Sequence, residues 1–517
     1  MSFFLSNFAR NFVKGMKKGL IIGLCGALLS LSALRAERVM VIADPHVLAP
    51  ELMPEGEALE AMMANQRKMI DLSPAAFEAL MDTAAAYRPD LLLIPGDITK
   101  DGEPESHAWV AAHLQTLGIP ALVIPGNHDL SAEVTDAAFD ALYADFMGAI
   151  RDTESHSYVA EPFPGVTILA IDGVRDNAGT GELSENTLSW LLAQADAAVA
   201  QGKLVIGMCH WQLMDHFDQQ SNIVSACQLK DAQTIAQQLA QHKVHVVLTG
   251  HMHVGDVSTA FYNPASGTEL DSLVEVSTGS PITFPCPYRW LEIATDRQTI
   301  SLQTDYLTTL DTIEDLYSYS RAWMAEHTLS IIPSMSARAW SKVEALDHAS
   351  IMNMLDGIPS TDEGRTELFM RHMGTDVANL YLLHSEGNEP TQPEKKAVVD
   401  SLQVHMAALL TEVLDSSSLN PITRPMIETA LMELSFQMVQ PIIESITEDI
   451  TTGTDPKYAN RTDDLEGTLR LHTPSEQGIF MIEETEEGQA YDVLGRPVHN
   501  AQRGQVIIYH NHKYIEQ

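Results

Sequence analysis

Val39-Met-Val-Ile-Ala-Asp-Pro-His46 joins a short apolar run to two side chains that bind metals, and related arrangements recur four times further on. Residues 91–94 lead to Gly96-Asp97, 121–124 to Gly126-Asn-His-Asp129, 204–208 to His210, and 244–248 to Gly250-His-Met-His253. Each run is rich in β-branched or large aliphatic residues and bounded by Gly, Pro or a polar residue. That is the pattern of a strand buried on both faces. Five such strands, separated by helical patterns, predict an α/β domain whose polar strand-end side chains gather along one edge of a sheet. In open α/β sheets ligands bind at the carboxyl ends of the strands.

The donors are Asp44, His46, Asp97, Asn127, His210, His251 and His253. They are too many for one tetrahedral zinc, which takes four ligands. They suit two divalent or trivalent transition-metal ions sharing a bridging carboxylate, and mixed oxygen and nitrogen donors favour iron, manganese or zinc over calcium or magnesium. Two metals about 3.5–4 Å apart are the arrangement used for phosphoester hydrolysis, so the expected activity is that of a metal-dependent hydrolase. Residues i and i+2 leaving a strand project the same way, which would bring Asp44 with His46, and His251 with His253, to the centre together. Gly96, Gly126 and Gly250 fall where the backbone turns and approaches the metals. His128, with Asp129 to fix its tautomer, is the expected general acid. His210 alone, or Asp-x-His alone, would carry little weight; the five motifs in this order carry the reading. Met252 is expected to pack.

Residues 38–305 resemble the calcineurin-like metallophosphoesterase superfamily, whose pattern is Asp-x-His, Gly-Asp, Gly-Asn-His-Asp/Glu, His and Gly-His-x-His. The resemblance implies a four-layer αββα sandwich, two mixed sheets between helices. It also implies one metal on Asp44, His46 and His253, a second on Asn127, His210 and His251, and Asp97 as the bridge. More narrowly, Asp44-Pro-His-Val-Leu-Ala-Pro-Glu-Leu, Gly96-Asp-Ile-Thr-Lys-Asp-Gly-Glu with Ser106-His107, and Ile124-Pro-Gly-Asn-His-Asp resemble the class III 3′,5′-cyclic-nucleotide phosphodiesterase branch. Some members of that branch also carry a helical C-terminal domain.

A chain of 517 residues has room for two or three domains. The formal charge of −39 argues against a nucleic-acid polymer as partner, because phosphate contacts need Lys and Arg. Lys14, Lys17 and Lys18 precede an apolar stretch over 20–34 that ends in Arg35-Ala-Glu37, the form of a secretory signal peptide over 1–36. Met16 is a more natural start than Met1. The apolar stretch falls short of the ~20 residues needed to span a bilayer, Cys25 sits in a poor context for lipid attachment, and no second span is read. The protein is therefore expected to be exported to the periplasm or cell surface, without a membrane span after cleavage. Cys209, Cys227 and Cys286 show no C-x-x-C spacing; a Cys227–Cys286 bridge is one option, and Cys209 is expected to pack.

The metallophosphoesterase domain is expected over 37–308. Its helices are read at 73–87, with Ser73 as N-cap and Pro74 following, and at 105–117, 184–200 and 230–241. Strands at 273–277, 289–293 and 299–304 are expected to complete the second sheet. Tyr158 and the Ser106-His107 region are candidates for shaping the pocket. The Ser280-Pro-Ile-Thr-Phe-Pro-Cys-Pro-Tyr288 loop reads equally as a wall of the site or a rigid connector. Residues 309–450 read as an all-helical bundle, with helices at 339–355, 367–383, 394–414 and 425–450 and a Pro441 kink. Its Met352, Met354, Met370, Met373, Met406, Met426, Met432 and Met438 are expected to be core filler, with a protein partner or a second copy as what its surface would contact. The spacing of His348, His372, His384 and His405 does not support a second metal site. Residues 451–475 read as a linker and 476–517 as a small C-terminal β module, whose His510 and His512 are expected to be solvated.

The leading expectation is an exported binuclear phosphoesterase acting on a small phosphoester. A metal-bound hydroxide would attack phosphorus while His128 protonates the leaving oxygen. Phosphodiesters are the first substrate class, and cyclic nucleotides its narrowest form. The alternatives are a phosphomonoesterase or nucleotidase, and a non-catalytic binding protein on the same fold.

Overall fold

Among the described residues twelve strands lie in the amino-terminal part of the computed structural model, and five more come from far along the chain. They are β1 (Glu37–Val41), β2 (Leu91–Pro95), β3 (Ala121–Ile124), β4 (Ile150–Arg151), β5 (Tyr158–Phe163), β6 (Val166–Ile171) and β7 (Leu204–Cys209). β8 (Val244–Thr249), β9 (Asp256–Tyr262), β10 (Asp271–Ser277), β11 (Pro287–Ile293) and β12 (Thr299–Tyr306) follow, and β13 (Tyr458–Asn460) and β14 (Glu466–Arg470) come much later. The described residues are 35–329 without 65, 176–180, 218–219, 221–226 and 263–270, then 357–387 and 392–433 without 418–419, 423 and 431. Beyond these come 458–460, 464–471, 491–492, 506–509 and 512–515. The expected signal peptide, except its last two residues, the helix at 339–355 and most of that at 425–450 lie outside them. So do Met352, Met354, Met438, His348 and His510.

Two mixed sheets result. One runs β14-β12-β11-β1-β2-β3 and the other β13-β9-β10-β8-β7-β6-β5-β4. Within the first, β1, β2 and β3 are parallel; within the second, β6, β7, β8 and β10 are. Successive side chains of a strand face opposite sides, and the apolar runs use both. Ile206 and Met208 of β7 join the core between the sheets, while Val205 and Cys209 join the core under the helices Glu185–Val199 and Ala232–Gln241. The helices Ser73–Tyr87 and Pro104–Leu117 cover the outer side of the first sheet. The layers are therefore helix, sheet, sheet, helix, as the family resemblance implied.

Several details depart from the sequence reading. The strands before the five motifs do not share one sheet edge: β1–β3 belong to one sheet, β7 and β8 to the other. The later strands do not all complete the second sheet either, since β11 joins the first sheet antiparallel to β1 and β12 follows antiparallel to β11. β5, β6 and β9 were not anticipated, because their ends carry no ligand motif to draw attention. Ser73 is not an N-cap; its buried hydroxyl donates to Ile70 O and accepts Leu48 N–H, which fixes the helix to the loop after β1. The stretch read as a linker supplies edge strands to both sheets, β13 on β9 and β14 on β12. Buried Asp464 joins the two, accepting Val257 N–H and offering its carbonyl to Arg289. Cys209, Cys227 and Cys286 are all free thiols, so the Cys227–Cys286 bridge is not formed.

The described helical region holds Leu316–Thr328, Asp362–Ser385 and Gln392–Asp415, with residues 424–430 also helical. Leu316–Thr328 was not expected; its Met324 packs with Phe284 and Leu382. Met373 is buried, but Met426 is 68% exposed and is not core filler among the described residues. Lys396–Asp415 is long and apolar enough to cross a membrane by length and composition alone, although no second span was read from the sequence. It packs Leu402, Val413 and Leu414 toward Met373 and Leu368. His372 pairs with Glu412 and His405 with Asp376, bonds between helices rather than a metal cluster. A three-stranded antiparallel sheet over Tyr491–Asp492, Val506–Tyr509 and His512–Ile515 stands where the β module was expected.

Ser184 accepts the Thr187 amide at 3.0 Å and caps Glu185–Val199. Ser184→Ala is expected to destabilise the domain by about 1 kcal/mol. Chemical denaturation followed by circular dichroism measures it, and an unchanged midpoint would remove the cap from the account.

Candidate metal centre

The carboxyl ends of β1, β2, β3, β7 and β8 meet where the two sheets face one another, and each delivers its motif there. Asp97 Oδ2 lies 3.5 Å from His46 Nε2 and 3.3 Å from His210 Nε2, so one carboxylate serves two groups of donors. In the first group His46 Nε2 and His253 Nε2 stand 3.0 Å apart, with Asp44 Oδ1 3.5 Å from His253 Nε2. In the second, His210 Nε2 lies 3.0 Å from His251 Nδ1 and 3.1 Å from Asn127 Oδ1. Donor atoms of Asp44, His46, Asp97 and His253 all lie within 4.8 Å of one another, as do those of Asp97, His210 and His251.

These atoms fit cations. His210 Nδ1–H donates to Pro95 O at 3.0 Å, which leaves Nε2 as a lone pair facing Asn127 Oδ1, Asp97 Oδ2 and His251. Lone pairs that converge without enough protons between them repel unless a positive charge sits among them. The titration tendencies agree. Burial would raise Asp97, but His210 and His46 beside it hold its carboxyl well below the usual range. Burial keeps His46 and His253 neutral, the form a metal ligand must have. At His210 burial opposes charge, yet Asp97 and Asp44 outweigh it and push the imidazole up to about 9. A positive charge is favoured there, as a proton or as a bound ion.

The loop geometry is not the one expected. Asp44, His46, Asp97, His251 and His253 all have positive φ, between 42° and 68°. Left-handed conformations in residues with a Cβ are uncommon and cost on the order of 1–3 kcal/mol each. Asp44 and His46 converge through two such bends, not through strand alternation, because both lie beyond the end of β1. The glycines matter mainly for space. A Cβ on Gly126 would stand 2.2 Å from Asp97 Oδ1, one on Gly250 2.3 Å from Asp44 Oδ2, and one on Gly96 2.5 Å from His210 Nδ1. Only Gly96 of the three also has positive φ, at 89°.

Asp129 does not hold His128. Its buried carboxylate accepts the amides of Ile98, Thr99 and Gly126 and the Thr99 hydroxyl, clamping the loops after β2 and β3 together. Consecutive residues diverge, and the partners of His128 come from elsewhere: its Nδ1 lies 2.6 Å from Lys100 O and 3.1 Å from Asp101 Oδ1. Asp101 is the residue that sequence reasoning missed, although it stands in the quoted Gly96-Asp-Ile-Thr-Lys-Asp stretch. Burial works against a charged His128, but Asp101 and Asp97 prevail and raise its pKa. Ser106 and His107 lie buried on Pro104–Leu117, bonded to Ala49 N–H and to Asp129 O and Tyr143. They support the loops and do not line a pocket, and Tyr158 is core, donating to Val123 O. In the 280–288 loop Ser280 donates to Asp44 O, so that loop braces the centre.

A second support was also missed. Glu275, fully buried on β10, accepts the amides of Leu213 and Met214, just after His210, and the Thr249 hydroxyl. His216 stands between Asp256, at 2.7 Å, and Glu275, at 3.4 Å. A glutamate inside Leu273-Val-Glu-Val276 was the available signal.

Residues 37–255 match the family model of the calcineurin-like phosphoesterases. This part of the chain is a metal-dependent hydrolase domain of that family. A protein of Moraxella catarrhalis named a probable cyclic nucleotide phosphodiesterase is 27% identical over 197 residues, covering 38% of this chain and 68% of its own. One of Synechococcus with the same description is 29% identical over 192 residues, covering 35% and 67%. A probable glycerophosphodiester phosphodiesterase of Arcobacter nitrofigilis is 30% identical over 180 residues, covering 34% and 60%.

Gly126→Ala is expected to displace the Asp97 carboxylate and lower bound metal at least tenfold, on the order of 1.4 kcal/mol or more. Elemental analysis after dialysis against manganese reads it, and full metal content would refute the close approach. Burial disfavours a charged His216, but Asp256 and Glu275 push it up to about 10, above the usual ~6.5. Its stabilisation is then complete below the unfolded value and lost as pH rises through about 10. The melting temperature of His216→Gln should fall below wild type at pH 6 and converge with it above pH 10; a constant gap would exclude the ion pairs.

Proposed function

We propose that the calcineurin-like phosphoesterase domain cleaves phosphodiesters at a two-ion centre, with 3′,5′-cyclic nucleotides as the narrowest substrate class. The observation that carries this is the Asp97 carboxylate common to two donor groups 3.3–3.5 Å away. Asp44, His46, Asp97 and His253 would hold one ion, and Asp97, Asn127, His210 and His251 the other. Bound ions there supply the charge that polarises a phosphoryl oxygen and makes a coordinated water acidic near neutral pH. Names of relatives support the diester class, since phosphodiesterases of cyclic nucleotides and of glycerophosphodiesters both align with this domain.

The chain's own residues then divide the remaining work. His128 Nδ1 is tied to Lys100 O and Asp101, leaving Nε2 as the nitrogen that gives a proton to the departing oxygen. Asp101 and Asp97 favour the protonated imidazole that this role needs. His128 N–H donates to Asp97 Oδ1 at 2.9 Å, so the acid and the shared ligand are positioned by one contact. Asp129 and Glu275 keep the loops rigid. Export through the 1–36 segment belongs to the same proposal; its basic residues and apolar run support it.

The test is hydrolysis of a nitrophenyl monoester, a bis-nitrophenyl diester and 3′,5′-cyclic AMP by the manganese-supplemented protein, with and without chelator. Chelator-sensitive cleavage of the two diesters is expected. Cleavage of the monoester alone would replace this reading with a phosphomonoesterase or nucleotidase, and two bound metals without any turnover would replace it with a binding protein. His128→Ala is expected to keep its metal and lose about 10²–10⁴ in kcat; an unchanged rate would remove the acid role.

A further inference from the structure

Lys68 lies between the helices Glu57–Met63 and Ser73–Tyr87 and is half-buried. Its ammonium stands 3.4 Å from His46 Nδ1, and among the described residues that imidazole is its one hydrogen-bonding contact. The adjoining Arg67 turns to Tyr381 instead. Its guanidinium lies 5.1 Å from the centre of the Tyr381 ring and donates to the Tyr381 hydroxyl, fastening the segment to the helix Asp362–Ser385. The segment of Lys68 is thus tied to the helical region at Arg67, and Met69 N–H ties it to Ile282 O in the loop that braces Asp44.

The His46 contact cannot satisfy the ammonium once the site is in use. His46 Nε2 faces Asp97 and His253 and is needed there as a lone pair, so the ring's single proton sits on Nδ1. Nδ1–H and the ammonium are then two donors facing each other, and lysine has no lone pair to offer. A charge partly withdrawn from water, with no acceptor left among the described residues, is costly, and an arriving oxyanion removes that cost. His128 meets the same His46 ring edge-on, with centroids 4.8 Å apart, so the ammonium and the acid border one imidazole. In a chain of formal charge −39 a cation here is also the local attraction for an anion.

We propose that Lys68 is a substrate-binding residue that donates to a non-bridging oxygen of the phosphoryl group. The assignment rests on the phosphoesterase reading and adds to it a contact outside the metal ligands. A lysine ammonium serves phosphate as a point charge, without the planar geometry an arginine would impose. It also gives the helical region a part in the reaction, because Tyr381 anchors the segment that presents Lys68.

The experiment compares full-length wild type, Lys68→Met and Lys68→Arg after loading with manganese. Metal content, the Kd for inorganic phosphate by calorimetry, and kcat and KM for the bis-nitrophenyl diester are measured. In Lys68→Met the phosphate Kd and the KM are expected to rise about tenfold or more, the scale of one charge-assisted hydrogen bond. Metal content should hold, and Lys68→Arg should recover most of the loss. Unchanged phosphate affinity in Lys68→Met, or a loss confined to metal content and restored in Lys68→Arg, would overturn the assignment. If wild type binds phosphate through Lys68 but cleaves no ester, the phosphoesterase reading falls while the phosphate contact stands. If wild type cleaves the diester and Lys68→Met matches it in every value, the reverse holds.

Discussion

Everything at this centre depends on where the Asp97 carboxylate can stand. It must reach His46 from one side and His210 from the other, 3.5 and 3.3 Å away, and these residues come from different sheets. That carboxylate is thus a point at which side chains delivered by both sheets meet. The amide of His128 holds its other oxygen at 2.9 Å. The absent side chain of Gly126 leaves the space it occupies. A buried carboxylate so placed is tolerable only among hydrogen-bond donors and cations; the His128 amide is one such donor, and the two donor groups are where cations would sit.

The loops that deliver the ligands are strained, and the surroundings over-determine them. Left-handed backbone at Asp44, His46, Asp97, His251 and His253 is held by hydrogen bonds from rigid neighbours. His251 N–H donates to both oxygens of Asp44, Asp129 ties together the loops after β2 and β3, and Glu275 holds the turn after His210. Strain of this kind persists where packing leaves no alternative, and it gathers at functional sites. The strands contribute rigidity in turn: the parallel runs of β1–β3 and β6–β8 are buried almost throughout.

The later part of the chain is less separate than its composition implies. β14 and β13 each form one edge of a sheet, and Asp464 links them through Val257 and Arg289. Tyr381 holds Arg67, and Leu382 packs with Phe284 and Met324 beside the loop that braces Asp44. The helical region therefore meets the domain at Arg67 and at the loop that braces Asp44.

The sequence by itself determined the strand runs, the order of the motifs and the seven candidate donors that the fold brings together. These are local: a buried strand must be apolar, and oxygen and imidazole donors at its end are read from residue type and immediate spacing. It did not determine which sheet each strand joins, because register and partner are decided by packing between segments far apart, as β11 beside β1 shows. Nor did it determine what supports each ligand. Asp129 looked like a partner of His128 by adjacency, and only the fold shows it turned to the amides of Ile98, Thr99 and Gly126, with Asp101 taking that place. Glu275 and Lys68 carry no motif, and their neighbours Met214 and His46 lie 61 and 22 residues away. Ligand identity is a property of residue type and immediate spacing; ligand support is a property of three-dimensional proximity, which the tertiary structure alone decided.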